Sequence, residues 1–142
     1  MSGRTAPVLQ IAALLLAAGA VACGGARGEV GILPRYPGAE IIGQGEYQGR
    51  AFGFGPAAWR RTDYTVRAPY ERVRDFYAGL QPSDWSSTFS NEMRKDAGRR
   101  YDRYLTDAHR REFYAIQVQE ELGGLIRINL AWGRRGDATP TP

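Results

Sequence analysis

Every second residue from Ile126 to Trp132 is apolar, and Arg127 lies between two of them. This alternation predicts a β-strand with one apolar and one polar face. Gly123 and Gly124, just before it, predict a tight hairpin turn. The charged stretch 91–98 predicts another turn. Five further segments have the composition of strands, namely 40–47, 59–67, 85–89, 99–105 and 112–119.

The segment 69–80 has the period of an α-helix. Pro69 suits the first helical position, and the negative charge of Glu71 interacts favourably with the helix dipole. The two strands, one helix and four strands predict an α+β fold, an antiparallel sheet of about five to six strands with one helix packed on one face. That face is expected to carry Ile126. The helix should cover it with a stripe at i, i+3, i+4 and i+7, formed by Val73, Phe76, Tyr77 and Leu80.

The first 22 residues have the organisation of an export signal. Arg4 precedes an almost wholly apolar stretch at 8–22. As a helix these fifteen residues span about 22 Å, less than the roughly 30 Å of a bilayer core. The stretch therefore favours a removable signal over a membrane-spanning anchor, which remains an alternative.

The tetrapeptide at 20–23, AVAC, resembles the lipobox of bacterial lipoprotein precursors. The resemblance implies that Cys23 receives a diacylglyceryl group, that cleavage occurs before it, and that the new amine is acylated. It also implies a lipid-anchored protein of the cell envelope. Because Gly24 rather than aspartate follows the cysteine, the outer membrane facing the periplasm is favoured over the inner membrane. An ordinary signal peptide is the other alternative.

Composition divides the rest of the chain. The glycine-rich stretch 23–32 predicts a flexible tether, and 33–132 predicts a single α+β domain. The segment 133–142 has no large apolar side chain and predicts a disordered tail.

Three motifs of the domain resemble a group of bacterial exported proteins and lipoproteins. They are LPRYPGA at 33–39, VRDFY at 73–77 and Trp85. The group shares a YPGA-type entry, a strand pair, a helix ending in Phe-Tyr and a tryptophan that opens the next strand. This resemblance implies an α+β fold but no activity and no catalytic residue.

Charge and cysteine content narrow the possible partners. The formal net charge is +4, and basic and acidic residues are interleaved along the chain. Nucleic-acid-binding proteins concentrate basic residues on one face or in one run, so no nucleic-acid partner is expected. Cys23 is the single cysteine, which excludes a disulfide within the chain.

Few residues could support catalysis. His109 is the single histidine, and Asp107 and Glu112 would be weak metal-ligand partners for it on a predicted turn. The serines lack a nucleophile elbow, and no phosphate loop with its lysine is present. We therefore predict no catalytic residue, no metal ligand and no cofactor. The alternative is an envelope enzyme, or a subunit of one, with a site near His109.

Two features favour binding. Phe52 and Phe54 lie among glycines and predict an exposed recognition tip, unless both rings fold back onto the sheet. Arginine doublets, together with Arg103 and Arg127, predict a basic sheet face, unless they pair with nearby acids. The sequence thus predicts a non-catalytic binding or structural domain. Its expected partners are the membrane, an anionic envelope lipid or glycan, or an envelope protein.

Replacing Cys23 tests the predicted anchor. Cys23→Ser is expected to abolish lipid labelling, because serine has no thiol to accept the diacylglyceryl group. Each buried methylene contributes about 0.8 kcal/mol, so two or more acyl chains give a stable anchor. Incorporation of radioactive palmitate into the recovered protein measures the effect. Equal labelling of the variant and the parent would contradict the lipoprotein assignment.

Overall fold

The computed structural model describes residues 33–96 and 98–136. The predicted signal segment 1–22, Cys23 and the predicted tether 23–32 lie outside the described residues, as does most of the predicted tail, 137–142. No helix of the described residues is long and apolar enough to span a bilayer.

Six strands and one helix follow one another in the predicted order. They are β1 (Glu40–Arg50), β2 (Pro56–Arg67), α1 (Tyr70–Gly79), β3 (Trp85–Lys95), β4 (Gly98–Asp107), β5 (Glu112–Glu120) and β6 (Leu125–Arg135). The strands form one sheet in the order β1-β2-β6-β5-β4-β3, and every neighbouring pair is antiparallel. The predicted combination of a six-stranded antiparallel sheet and a single helix is thereby confirmed.

Every strand extends beyond its predicted range at one or both ends, and two of these extensions contradict a predicted turn or tail. The turn predicted at 91–98 is wrong over most of its length, because β3 continues to Lys95 and pairs with β4. As an edge strand β3 exposes nearly all its side chains, so it lacks the alternation by which strands are recognised. The tail predicted from residue 133 begins too early, because β6 continues to Arg135 and pairs there with β2.

The main buried cluster contains residues of α1 and of four strands. Val73 and Tyr77 of the predicted helix stripe are fully buried in it, and Phe76 and Leu80 are partly buried against it. The helix also contributes Tyr70, which the predicted stripe did not include. The strand residues of the cluster are Tyr64, Val66, Tyr101, Leu105, Tyr114, Ile116, Val118, Ile126, Ile128 and Leu130.

These strand residues occupy alternate positions, so they share one side of the sheet, which we call the first face. The opposite side, the second face, carries the residues between them, such as Asp63, Gln117 and Asn129. The loop between β1 and β2 contributes to a smaller cluster on the second face. This cluster contains Ala51, Ala57 and Phe113, with Phe54 and Trp59 packed against them.

Gly133 makes this smaller cluster possible. A Cβ atom at this position would come within 2.6 Å of the Phe113 ring, of the Trp59 Cβ atom and of the Ala58 carbonyl oxygen. The aromatic ring therefore occupies the space of the missing side chain, as aromatic residues do over glycines in sheets.

Replacing this glycine tests the close approach. Gly133→Ala should lower the free energy of unfolding by about 1–3 kcal/mol, because a methyl group must be forced into a packed site. Gly79→Ala is the control, since nothing lies within 4 Å of a Cβ atom there. It should be neutral or stabilise the helix by about 0.5–1 kcal/mol. Urea denaturation of the soluble form beginning at Gly24 compares them, and equal midpoints would contradict the packing of Phe113 over Gly133.

Candidate functional site

The two phenylalanines of the β1–β2 loop lie on the second face. The Phe54 ring stacks on the Phe113 ring with a centroid distance of 4.6 Å. The centroid of the Phe52 ring lies 6.0 Å from those of both the Trp59 and the Tyr104 rings. The residue nevertheless exposes 39% of its surface. The loop therefore folds back onto the sheet and still presents one aromatic ring to solvent.

The two arginines predicted to share a basic face lie on opposite faces. Arg127 is exposed on the second face and pairs with Glu121 at 2.9 Å. Arg103 is only 5% exposed and lies on the first face, so the expectation that it faces solvent is wrong. Its Nη1 group donates to the carbonyl oxygens of Tyr77 and Ala78, both at 2.9 Å, and to that of Leu80. These bonds satisfy carbonyl groups that the C-terminal end of a helix leaves unpaired.

Many other arginines form ion pairs with acidic residues. Such pairing was the stated alternative to a basic sheet face. On the first face Arg99 bonds to both Glu71 and Glu120. These bonds hold the pKa values of the two carboxyls below their usual range. Further pairs join Arg60 to Glu46, Arg74 to Glu92 and Arg134 to Glu112.

A small groove near the middle of the second face, the polar groove, encloses about 90 Å³. Ala115 and Ala131 face each other across β5 and β6, and their small side chains leave this space open. Phe52 and Tyr104 also line the groove. Its polar side chains are Arg61, Arg100, Asp102, Gln117 and Asn129.

Asp102 is the centre of a hydrogen-bond network in the polar groove. Its side chain is only 6% exposed and accepts bonds from Arg100 Nε at 2.8 and 3.1 Å. Gln117 Nε2 donates to Asp102 at 3.1 Å, and Gln117 Oε1 accepts from Asn129 Nδ2 at 2.7 Å. A buried carboxylate is costly unless it is paired and hydrogen-bonded, so the network accounts for an acid at this position.

The charges of the polar groove balance. Arg61 Nε pairs with Asp63 at 2.6 Å, as Arg100 pairs with Asp102. Burial, and secondarily the charge of Asp102, raises the pKa of Tyr104 above its usual value. Tyr104 therefore keeps a neutral hydroxyl group at ordinary pH, and the groove offers hydrogen-bonding groups without an excess of charge.

A second depression, the wide groove, adjoins the polar groove and encloses about 650 Å³. Phe52 and Tyr104 line both grooves, and Phe89 stacks on Tyr104 with a centroid distance of 5.1 Å. The other residues that line the wide groove are Gly53, Phe54, Ser86, Ser87, Thr88, Thr106, Arg110 and Arg135.

The wide groove contains two arginines, Arg110 and Arg135. Neither forms an ion pair with an acidic residue among residues 33–96 and 98–136. The Arg135 guanidinium lies 4.8 Å from the centre of the Phe54 ring, and its Nε atom is buried without a hydrogen-bond partner among these residues. Arg110 is exposed on the turn between β4 and β5. Thr106 is only 1% exposed, and its hydroxyl also lacks a described partner.

His109 lies exposed on the β4–β5 turn. The nearby carboxylates are engaged in other bonds, since Asp107 Oδ1 accepts the backbone N–H of Glu112 and Glu112 pairs with Arg134. Within the described part of the chain, no three His, Cys, Asp or Glu residues are grouped so that they could hold a metal ion.

Sequence reasoning found Phe52 and Phe54 but missed the polar groove. A signal was present, because Arg-x-Asp occurs at both 61–63 and 100–102, and residues two apart on a strand share a face. Comparison of the chain with protein-family models, with curated proteins and with solved structures found no match.

The role of Arg103 as a helix cap can be tested. Arg103→Ala should lower the free energy of unfolding by about 1.5–3 kcal/mol, the typical contribution of hydrogen bonds to a charged group. Arg127→Ala is the control and should cost about 0.2–1 kcal/mol, because an exposed ion pair contributes little. Urea denaturation measures both changes. A larger loss for Arg127→Ala than for Arg103→Ala would contradict the assignment.

Proposed function

We propose that the protein is a lipoprotein of the cell envelope whose domain binds a ligand on the second face of its sheet and does not catalyse a reaction. Lipid on Cys23 holds it on a membrane, the outer membrane facing the periplasm being favoured. The observation that carries the binding role is the pair of adjoining grooves lined by Phe52 and Tyr104.

In this proposal α1 packs on the first face and leaves the second face for the ligand. The helix residues Val73 and Tyr77 belong to the same buried cluster as the strand residues of the first face. Arg103, which extends from that face, bonds to the carbonyl groups at the end of the helix. Both observations support a helix layer on one side only.

The second face has features expected of a binding surface. Phe52 and Phe89 expose 39% and 43% of their surface there, which is a substantial aromatic area for an uncovered face. Aromatic rings beside a few convergent polar groups are characteristic of ligand sites. The ligand is an envelope component, because the predicted lipid anchor restricts the domain to that compartment.

Photocrosslinking in living cells tests this function. A benzoylphenylalanine at position 52, where the native residue is also aromatic, should crosslink to an envelope component. The same group at position 122 is the control, because Leu122 is 89% exposed and lines neither groove. The crosslink from position 52 should disappear in the Cys23→Ser background and should persist in His109→Ala.

Three results would contradict the proposal. Equal crosslinking from positions 52 and 122 would indicate nonspecific contact. An unchanged crosslink in Cys23→Ser would remove the requirement for the anchor. Loss of the crosslink in His109→Ala, with an unchanged circular dichroism spectrum, would favour an envelope enzyme with a site near His109.

A further inference from the structure

We propose that the two grooves bind one acidic saccharide, with a sugar ring in the polar groove and its anionic group at Arg110 and Arg135 in the wide groove. This inference rests on the proposed binding function and names the chemical class of the ligand.

The polar groove provides the hydrogen bonds that sugar hydroxyl groups need. A hydroxyl group both donates and accepts, and Asp102, Gln117 and Asn129 offer acceptors and donors side by side. Neighbouring hydroxyl groups of a sugar ring match such planar carboxylate and amide groups. The Oδ1 atom of Asn129 is buried without a described partner, and a ligand hydroxyl would satisfy it.

The walls of the grooves suit the apolar side of a sugar ring. Pyranose rings present C–H groups on their faces, which pack against aromatic rings. Phe52 lies between the two grooves and keeps an exposed surface for such a contact. Its conformation is unusual for a residue with a side chain, since its φ angle is +46°. Backbone strain of this kind occurs often at binding sites.

The volumes indicate a ligand longer than one sugar. The polar groove, at about 90 Å³, has the volume of roughly three water molecules and admits the hydroxyl-bearing edge of one ring. The wide groove, at about 650 Å³, lies within the range of typical ligand sites. Because the grooves adjoin at Phe52 and Tyr104, an extended saccharide can occupy both.

The distribution of charge assigns the anionic group to the wide groove. The polar groove pairs each of its arginines with an aspartate, so it offers no net attraction for an anion. In the wide groove neither Arg110 nor Arg135 has an acidic partner among the described residues, and the buried Arg135 Nε lacks an acceptor. A carboxylate or phosphate on the saccharide would supply that acceptor. A lipid phosphate alone would leave the polar groove unused.

Calorimetric titration of the full-length lipidated protein in detergent tests the inference with three probes. The acidic core oligosaccharide released from lipopolysaccharide should bind. Chitotetraose, a neutral saccharide, should bind at least tenfold more weakly, because it lacks the anionic group. Phosphatidylglycerol, which is anionic without a comparable saccharide, should compete no better than phosphatidylcholine.

Adjacent residues of β6 provide matched variants. Arg135→Gln should weaken binding of the core oligosaccharide about tenfold and reduce its salt dependence between 0.1 and 1 M NaCl, over which the Debye length falls from about 10 to 3 Å. Arg134→Gln removes the same charge from the first face and should leave binding unchanged. Phe52→Ala should also weaken binding about tenfold, whereas Tyr47→Ala, on the same face outside both grooves, should not.

Three outcomes would overturn the inference. The first is that phosphatidylglycerol competes as well as the core oligosaccharide. The second is that Arg135→Gln and Arg134→Gln bind the core oligosaccharide equally, and the third is that neither saccharide binds at all. If any of them occurs while the photocrosslink from position 52 persists, the second face remains a binding surface and only the saccharide class is wrong.

Discussion

The main constraint on this structure is that a sheet has two faces, and the described chain has only one short helix to cover them. Six strands spaced about 4.8 Å apart give a sheet roughly 24 Å wide, whereas a ten-residue helix is about 15 Å long. Such a helix cannot bury both faces. With α1 on the first face, as we propose, the second face is made compatible with water by its own side chains and by the loop between β1 and β2.

The second face meets this requirement in two ways that also create the grooves. At one end, the loop returns over the sheet and Phe54 covers Phe113, which in turn covers Gly133. Near the middle, the small residues Ala115 and Ala131 leave room for the network around Asp102. In a network of this kind the loss of one member leaves further buried polar groups without a partner. Substitutions at Asp102 are therefore expected to affect folding and binding together, which is why Phe52 and Arg135 are the better probes of function.

The elements that the sequence predicts well are those with a clear period. The clean alternation of β6 and the helical stripe from Val73 to Tyr77 both arise because one side of the element is buried. β3 has no such contrast, since it is exposed on an edge, and its second half was mistaken for a turn. Arg103 is buried and caps the helix, whereas Arg127 is exposed, and amino-acid composition alone does not predict this difference. Whether a strand residue faces the first or the second side depends on strand register, and register is a property of the assembled sheet.

The same dependence on register explains why the polar groove was missed although both Arg-x-Asp pairs are visible in the sequence. Arg61 and Arg100 lie on β2 and β4, and β6 and β5 separate those strands in the sheet. Only the observed strand order brings both pairs to one groove.

The order also decides the electrostatic character of the surface. With many arginines paired locally, a chain with a net charge of +4 presents few uncompensated cations on the described second face. Arg110 and Arg135, which line the wide groove, are among the described cations without an acidic partner, and to them we assign the anionic group of the proposed ligand.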